Sequence, residues 1–202
     1  IPSRIDRLDA SLGLKSNAKE LAVDINHVSL RAADPRFGVN SLSGVIRKSE
    51  TEIDFKNVAL RTEETSLSVD GTVKNLDTNK PVVSLKASSD KFSISELSKI
   101  VPALRGYNLE PQFQLTADGP ADKLAVDLNA QEKSVGRIAA KATVDAVDPT
   151  RRITGTASVQ NLNVGPVMRA TEAKSGAEKS APLTSDVTGN ARFDIALPSD
   201  KL

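Results

Sequence analysis

The 202-residue chain contains no cysteine and no tryptophan, one tyrosine, one histidine and one methionine, and aromatics make up only 3% of it. Without cysteine there are no disulfides, no thiolate chemistry and no cysteine-based zinc site. One histidine alone argues against a transition-metal centre. Charge of one sign is also missing: 27 Lys and Arg face 26 Asp and Glu, a net charge of +1. A nucleic-acid binder needs a basic surface, usually with aromatic or arginine stacking positions, so that class is excluded. No apolar run approaches the roughly 18 residues of a membrane-spanning helix. The sequence starts Ile1-Pro2 without an initiator Met and shows no basic segment followed by an apolar one, and it is expected to be a segment of a longer protein.

What is present is aliphatic. Leu, Val, Ile and Ala supply nearly all of the 39% hydrophobic content. They alternate with polar residues at period 2: Leu21, Val23, Ile25; Ile53, Phe55; Leu67, Val69; Leu124, Val126, Leu128; Phe193, Ile195, Leu197. Period 2 marks strands with one apolar and one wet face. Strands are expected at 4–14, 20–32, 37–47, 51–62, 65–75, 82–89, 111–118, 123–130, 135–147, 152–161 and 185–197. Short polar turns between them indicate a meander, not βαβ units.

An internal repeat overlies this alternation. Val23 to Ala32 (VDINHVSLRA) matches Ile53 to Thr62 (IDFKNVALRT) at an offset of 30 residues, with Asp24/Asp54, Val28/Val58, Leu30/Leu60 and Arg31/Arg61 identical. In each copy the apolar parity slips by one, at Asn26-His27 and at Lys56-Asn57. Such a slip reads as a β-bulge, which bends the strand. Glycines recur before small or branched residues at Gly44, Gly71, Gly155 and Gly189, where bends or bulges are expected as readily as ordinary hairpin punctuation.

One helix is expected near 94–104. Ser93 and Glu96 have capping-box spacing, Leu97, Ile100, Val101 and Leu104 follow at helical spacing, and Arg105-Gly106 ends the run. A shorter helical turn is expected after Asn161-Leu162-Asn163-Val164. The organisation that follows is a repeating curled sheet over 1–169, a mobile polar linker or loop over 170–183, and a further strand within 184–202.

Catalytic constellations are lacking. His27 has Asn57 as its repeat counterpart, so the position calls for a polar bulge residue, not an imidazole. There is no nucleophile elbow, phosphate loop or dinucleotide fingerprint. Glu63-Glu64 reads as solvated charge in a turn. No enzyme activity, cofactor or metal is expected. The apolar face remains. One helix cannot cover about eleven strands, so the face is either the packed core of a sandwich or the lining of a curled, incompletely closed sheet. The second would be a groove suited to alkyl chains.

Ser43 to Leu76 (SGVIRKSETEIDFKNVALRTEETSLSVDGTVKNL) resembles the repeats of AsmA-like proteins, including the TamB group. So do Pro81 to Leu104, a strand, a short apolar lead-in and a helix, and Ala157 to Met168 with Thr184 to Leu197 after a polar insertion. The resemblance implies a mainly β fold, a long antiparallel meander curled into a hydrophobic, taco-like open barrel with one or two short helices. It implies the periplasm, with a tether to the inner membrane in the full-length protein. It also implies carriage of phospholipid acyl chains between the inner and outer membranes and, for the TamB group, work with outer-membrane assembly proteins. The groove lining is then expected at Val23, Ile25, Ile53, Phe55, Leu67, Val69 and Leu85. The alternative is a β-scaffold that pairs its edge strand with a client and carries no lipid.

Overall fold

The computed structural model describes residues 4–33, 36–148, 151–166, 168 and 184–196. The alternating segments form eleven strands: β1 (Ile5–Ser16), β2 (Glu20–Ala33), β3 (Arg36–Ser49), β4 (Glu52–Thr62), β5 (Ser66–Lys74), β6 (Val82–Lys91), β7 (Gln112–Pro120), β8 (Leu124–Glu132), β9 (Gly136–Val144), β10 (Arg152–Leu162) and β11 (Val187–Ala196). They pair in sequence order as one antiparallel sheet, and β1 and β11 do not meet. The molecule is an open, curled meander. No second sheet forms among the described residues.

Turn side chains explain why the chain reverses where it does. Asn17 Oδ1 accepts from the backbone N–H of Lys19 (2.8 Å) and Glu20 (2.9 Å), closing the β1–β2 hairpin. Asp145 Oδ1 does the same for Val147 (3.0 Å) and Asp148 (2.9 Å) after β9. Short polar side chains that bond the backbone two or three residues on are the natural turn formers.

Both expected bulges are present. The β2–β3 register skips between Ile25 and Val28, and the β4–β5 register between Phe55 and Val58. Gly44 of β3 lies between them: it pairs with Ile25 on one side, and a Cβ on it would collide with Val58 on the other. Its φ of +131° is open only to glycine. The 30-residue repeat therefore places two bulges on either side of one glycine. The copies are not identical. Asn57 is left-handed (φ +50°), and its N–H donates to Asp70 Oδ1 at 2.7 Å. His27 is not among the residues with positive φ.

The helix is shorter than its spacing predicts. α1 is a single turn, Ile94–Leu97, followed by a 3-10 turn at Pro102–Leu104. Pro102 has no N–H and pushes Val101 to extended geometry (φ −110°, ψ 90°), so the helical run cannot continue through it. The capping box also forms only by half. Ser93 Oγ accepts from Glu96 N–H (3.1 Å), but Ser93 N–H donates to Thr65 Oγ1 (3.1 Å), and Thr62 Oγ1 donates to the Glu96 carboxylate. Ser93 and Glu96 are both buried by this docking onto the β4–β5 turn. The later helical turn is present, with Met168 N–H bonded to Val164 O at 3.0 Å. The expected linker at 170–183 lies outside the described residues, and β11 continues the sheet beyond it.

Candidate functional site

In an antiparallel sheet, directly paired residues share a face. Following the pairs from strand to strand gives one row across the whole sheet: Leu14, Val23, Ile46, Phe55, Gly71, Leu85, Ala117, Val126, Ala142, Gly155 and Phe193. No polar side chain interrupts it. The next row toward α1 is also apolar, with Leu12, Ile25 and Gly44 in β1–β3, then Val58, Val69, Ala87, Leu115, Leu128, Ala140, Ala157 and Ala191 from β4 to β11. Bulges keep this face intact. Each adds one residue where strict alternation would have turned Val28 or Val58 to the opposite side.

All seven residues expected to line a groove fall on this face. Val23, Phe55 and Leu85 lie in the uninterrupted row; Ile25 and Val69 lie in the next. Ile53 pairs with Val73 on one flank, and Leu67 pairs with Leu60 on the other. The period-2 signal in the second half of the chain marks further members that the expected set omits: Leu115, Val126, Leu128, Ile138 and Phe193. Small residues of the same face, such as Ala142 and Gly155, carry no such signal. Phe193 shows why Gly155 is small: a Cβ there would run into the Phe193 ring and the backbone of Lys141.

Within β7–β9, alanines of constant size show which face is recessed. Ala139 and Ala125 on the polar face are exposed, Ala140 and Ala142 on the apolar face are half-buried, and Ala117 is buried. Yet among the described residues no layer covers the apolar face. Its large side chains are mostly half-buried, and at the β1 edge Leu14 is 69% exposed. Among the described residues the only large aliphatics that reach full burial are Ile25 and Val135. A sandwich core would bury most of them. Ser89, paired with Phe113 on this face, is the one buried hydroxyl without a hydrogen-bond partner among the described residues. At the α1 end, Phe92 and Phe113 meet edge to face at 5.4 Å.

The other face is mainly polar, with Ala22, Val45, Ala59 and Val82 among its members, and carries ion pairs: Arg47 with Asp54 (3.6 Å), Lys141 with Asp127 (3.0 Å), and Arg152 with Asp194 (2.9 and 2.6 Å). The Arg152 guanidinium holds the Asp194 carboxyl below its ordinary range. Exposed pairs of this kind contribute about 0–1 kcal/mol each. Two hollows, of about 610 and 620 Å³, lie over this face, the first lined by Gln112, Gln114, Gln131 and Arg137 and the second by Asn129, Lys141 and Arg192. A twisted sheet is saddle-shaped and offers a depression on either side. The hollows also touch Ala139, Phe113 and Ile138, but amides, hydroxyls and charges break up their apolar surface, whereas the aliphatic rows are continuous, so the candidate site is the apolar face.

Glu64 is not simply solvated charge. Its carboxylate accepts from Ser93 Oγ (2.7 Å), and that hydrogen bond, with Lys99 and Lys91 nearby, holds its pKa below the usual 4.5 against the opposing effect of burial. Among the described residues no three histidine or acidic side chains gather as a metal site, and no helix is long and apolar enough to cross a membrane.

Fold and face together define a class: an open antiparallel meander with one continuous aliphatic face that no other described residues cover. No known protein family, characterised protein or solved structure matches the chain.

Proposed function

We propose that this chain is a periplasmic segment of an AsmA/TamB-like envelope protein, tethered to the inner membrane in its full-length form. It shields phospholipid acyl chains during transport between the inner and outer membranes. The reading rests on one observation: an apolar row crosses all eleven strands and none of the described residues forms a layer over it. Apolar surface left to water costs roughly 25 cal/mol per Å². An acyl chain laid along the face removes that cost, while its headgroup stays at the wet rim. The lining is aliphatic and unspecific, so contacts are many, weak and interchangeable, which suits sliding better than fixed binding. The chain has no catalytic role in this reading and uses no cofactor. Transport depends on shape and hydrophobicity alone.

Native mass spectrometry of the purified chain tests this. Phospholipid should accompany the protein and be lost from Val69→Arg and Phe55→Arg, both at half-buried positions of the face. Both variants should remain folded, because an arginine on an open face can extend its charge to water. Absence of lipid from the unaltered protein, or its retention in both variants, would contradict the reading. The exposed β1 edge favours the second reading, a β-scaffold for outer-membrane protein assembly through edge pairing without lipid. Capture of polypeptide alone by the apolar face would favour it.

A further inference from the structure

We infer that the tip of the connection between β6 and β7, residues 99–105, dips into the surface of an anionic lipid bilayer. This holds whether or not the sheet face carries acyl chains. Twenty residues separate Lys91 from Gln112, far more than a hairpin needs. The connection joins the sixth and seventh of eleven strands, so its exposure does not arise at either edge of the sheet.

The base of this loop is pinned. Phe92 N–H donates to Pro111 O (3.1 Å), and Ile94 N–H donates to Leu109 O (3.0 Å). α1 docks on the β4–β5 turn through Ser93 and Glu96. The tip is bare. Lys99 to Ala103 are all exposed, and Ile100 and Val101 are each 39% exposed. The tight turns at 50–51 and 63–65, by contrast, hold only Glu and Thr.

Two features suit the tip to lipid and not to protein. One is its backbone. The N–H groups of Ser98, Lys99, Ile100, Val101, Leu104 and Arg105 all donate to carbonyls within the loop. Pro102 has no N–H to satisfy. A backbone bonded to itself can leave water at little cost. The other is charge. From Leu97 to Leu109 the only charged residues are Lys99 and Arg105, one on each side of the apolar run. Neither forms a salt bridge among the described residues. Glu64 feels the charge of Lys99 but is held by Ser93 Oγ. Long cationic side chains beside an apolar tip reach the lipid phosphates while their stems stay in apolar surroundings. A stable protein interface takes roughly 20–30 residues from each side, and this run of exposed residues is far shorter. Docked in this way, the α1 end of the sheet faces the bilayer.

The chain has no tryptophan, so a single introduced one reports its own surroundings. The probe is a phosphatidylcholine vesicle with or without phosphatidylglycerol. On vesicles containing phosphatidylglycerol, the emission of Val101→Trp should move to the blue and be quenched by brominated acyl chains. Thr78→Trp, in the polar turn at the opposite end of the strands, should show neither effect. Lys99→Glu with Arg105→Glu should weaken flotation with these vesicles about tenfold or more, with circular dichroism unchanged. Ile100→Ser with Val101→Ser should weaken it too. Lipid taken up by the sheet face would be read by Phe55→Trp, so failure here is separable from failure of the acyl-chain reading. No shift at position 101, an equal shift at position 78, or flotation indifferent to the charge reversal would overturn the inference. So would a shift at position 101 that grows with protein concentration without vesicles, which would assign the tip to a second copy.

Discussion

Every pairing from β1 to β6 contains a register shift, whereas the four pairings from β6 to β10 contain none. The apolar face changes with the ladder. In β2–β5 it is built from Val23, Ile25, Leu42, Ile46, Ile53, Phe55, Leu60, Leu67 and Val69; in β7–β10 alanines at 117, 130, 140, 142 and 157 and a glycine at 155 take many of the equivalent places. Bulges bend and twist a strand, and bulky aliphatics fill the bent region. The regular half has unbroken registers and a thinner lining. One continuous face is thus made in two ways, and it survives the slips because the bulges of β2 and β4 flank the same glycine.

The largest expected effect breaks the bent half. Gly71 has φ +143°, and a Cβ there would collide with Ser84 O and Leu85. Gly71→Val should cost at least about 3 kcal/mol or prevent folding. Gly189 has nothing within 4 Å of such a Cβ, and Gly189→Val should cost less than about 0.5 kcal/mol. Urea unfolding of the pair checks this, and equal losses would remove the contrast.

Next is the bulge itself. Asn57→Val should cost about 1–2 kcal/mol, since a β-branched residue resists the left-handed conformation. Asn57→Gly should be near neutral. His27→Val in the other copy should cost less than Asn57→Val, because its backbone is not left-handed.

Ser93→Ala removes the α1 cap and should cost about 1 kcal/mol. It also removes the main hydrogen bond that lowers the Glu64 pKa. A lowered folded-state pKa stabilises above the ordinary 4.5, and that stabilisation is lost as pH falls through the folded value. The stability gap between the unaltered chain and Ser93→Ala should therefore narrow on acidification below pH 4.5. A gap independent of pH would mean that Glu64 contributes nothing to it.

The smallest effect probes the thin half. Ala140→Leu on an open face should cost less than about 1 kcal/mol, whereas overpacking a closed core costs about 1–3 kcal/mol. Urea titration decides, and a loss in the upper range would mean that this half is covered.

Much of this was legible in residue order. Period 2 located the strands, and the parity slips at Asn26-His27 and Lys56-Asn57 located the bulges, because both patterns are local. The seven lining residues share a face for the same reason. Three features were not legible. The helix pattern through Leu97, Ile100 and Val101 gave no weight to Pro102, which ends it. Glu64 looked like ordinary charge and Glu96 like a capping-box partner of Ser93, because Ser93 for Glu64 and Thr62 for Glu96 are about thirty residues away and come near only when α1 docks on the β4–β5 turn. The thin lining was invisible because alanine and glycine carry little periodic signal, and only pairing shows that Ala142 and Gly155 stand in line with Phe55.

The central claim is that the apolar face, not the polar one, contacts acyl chains. A photoreactive residue placed at Phe55, and separately at Asp54 on the opposite face, tests it in cells by identifying the cross-linked species. The account predicts phospholipid adducts at position 55 and none at position 54. Equal lipid capture at both positions, or polypeptide alone at position 55, would contradict it.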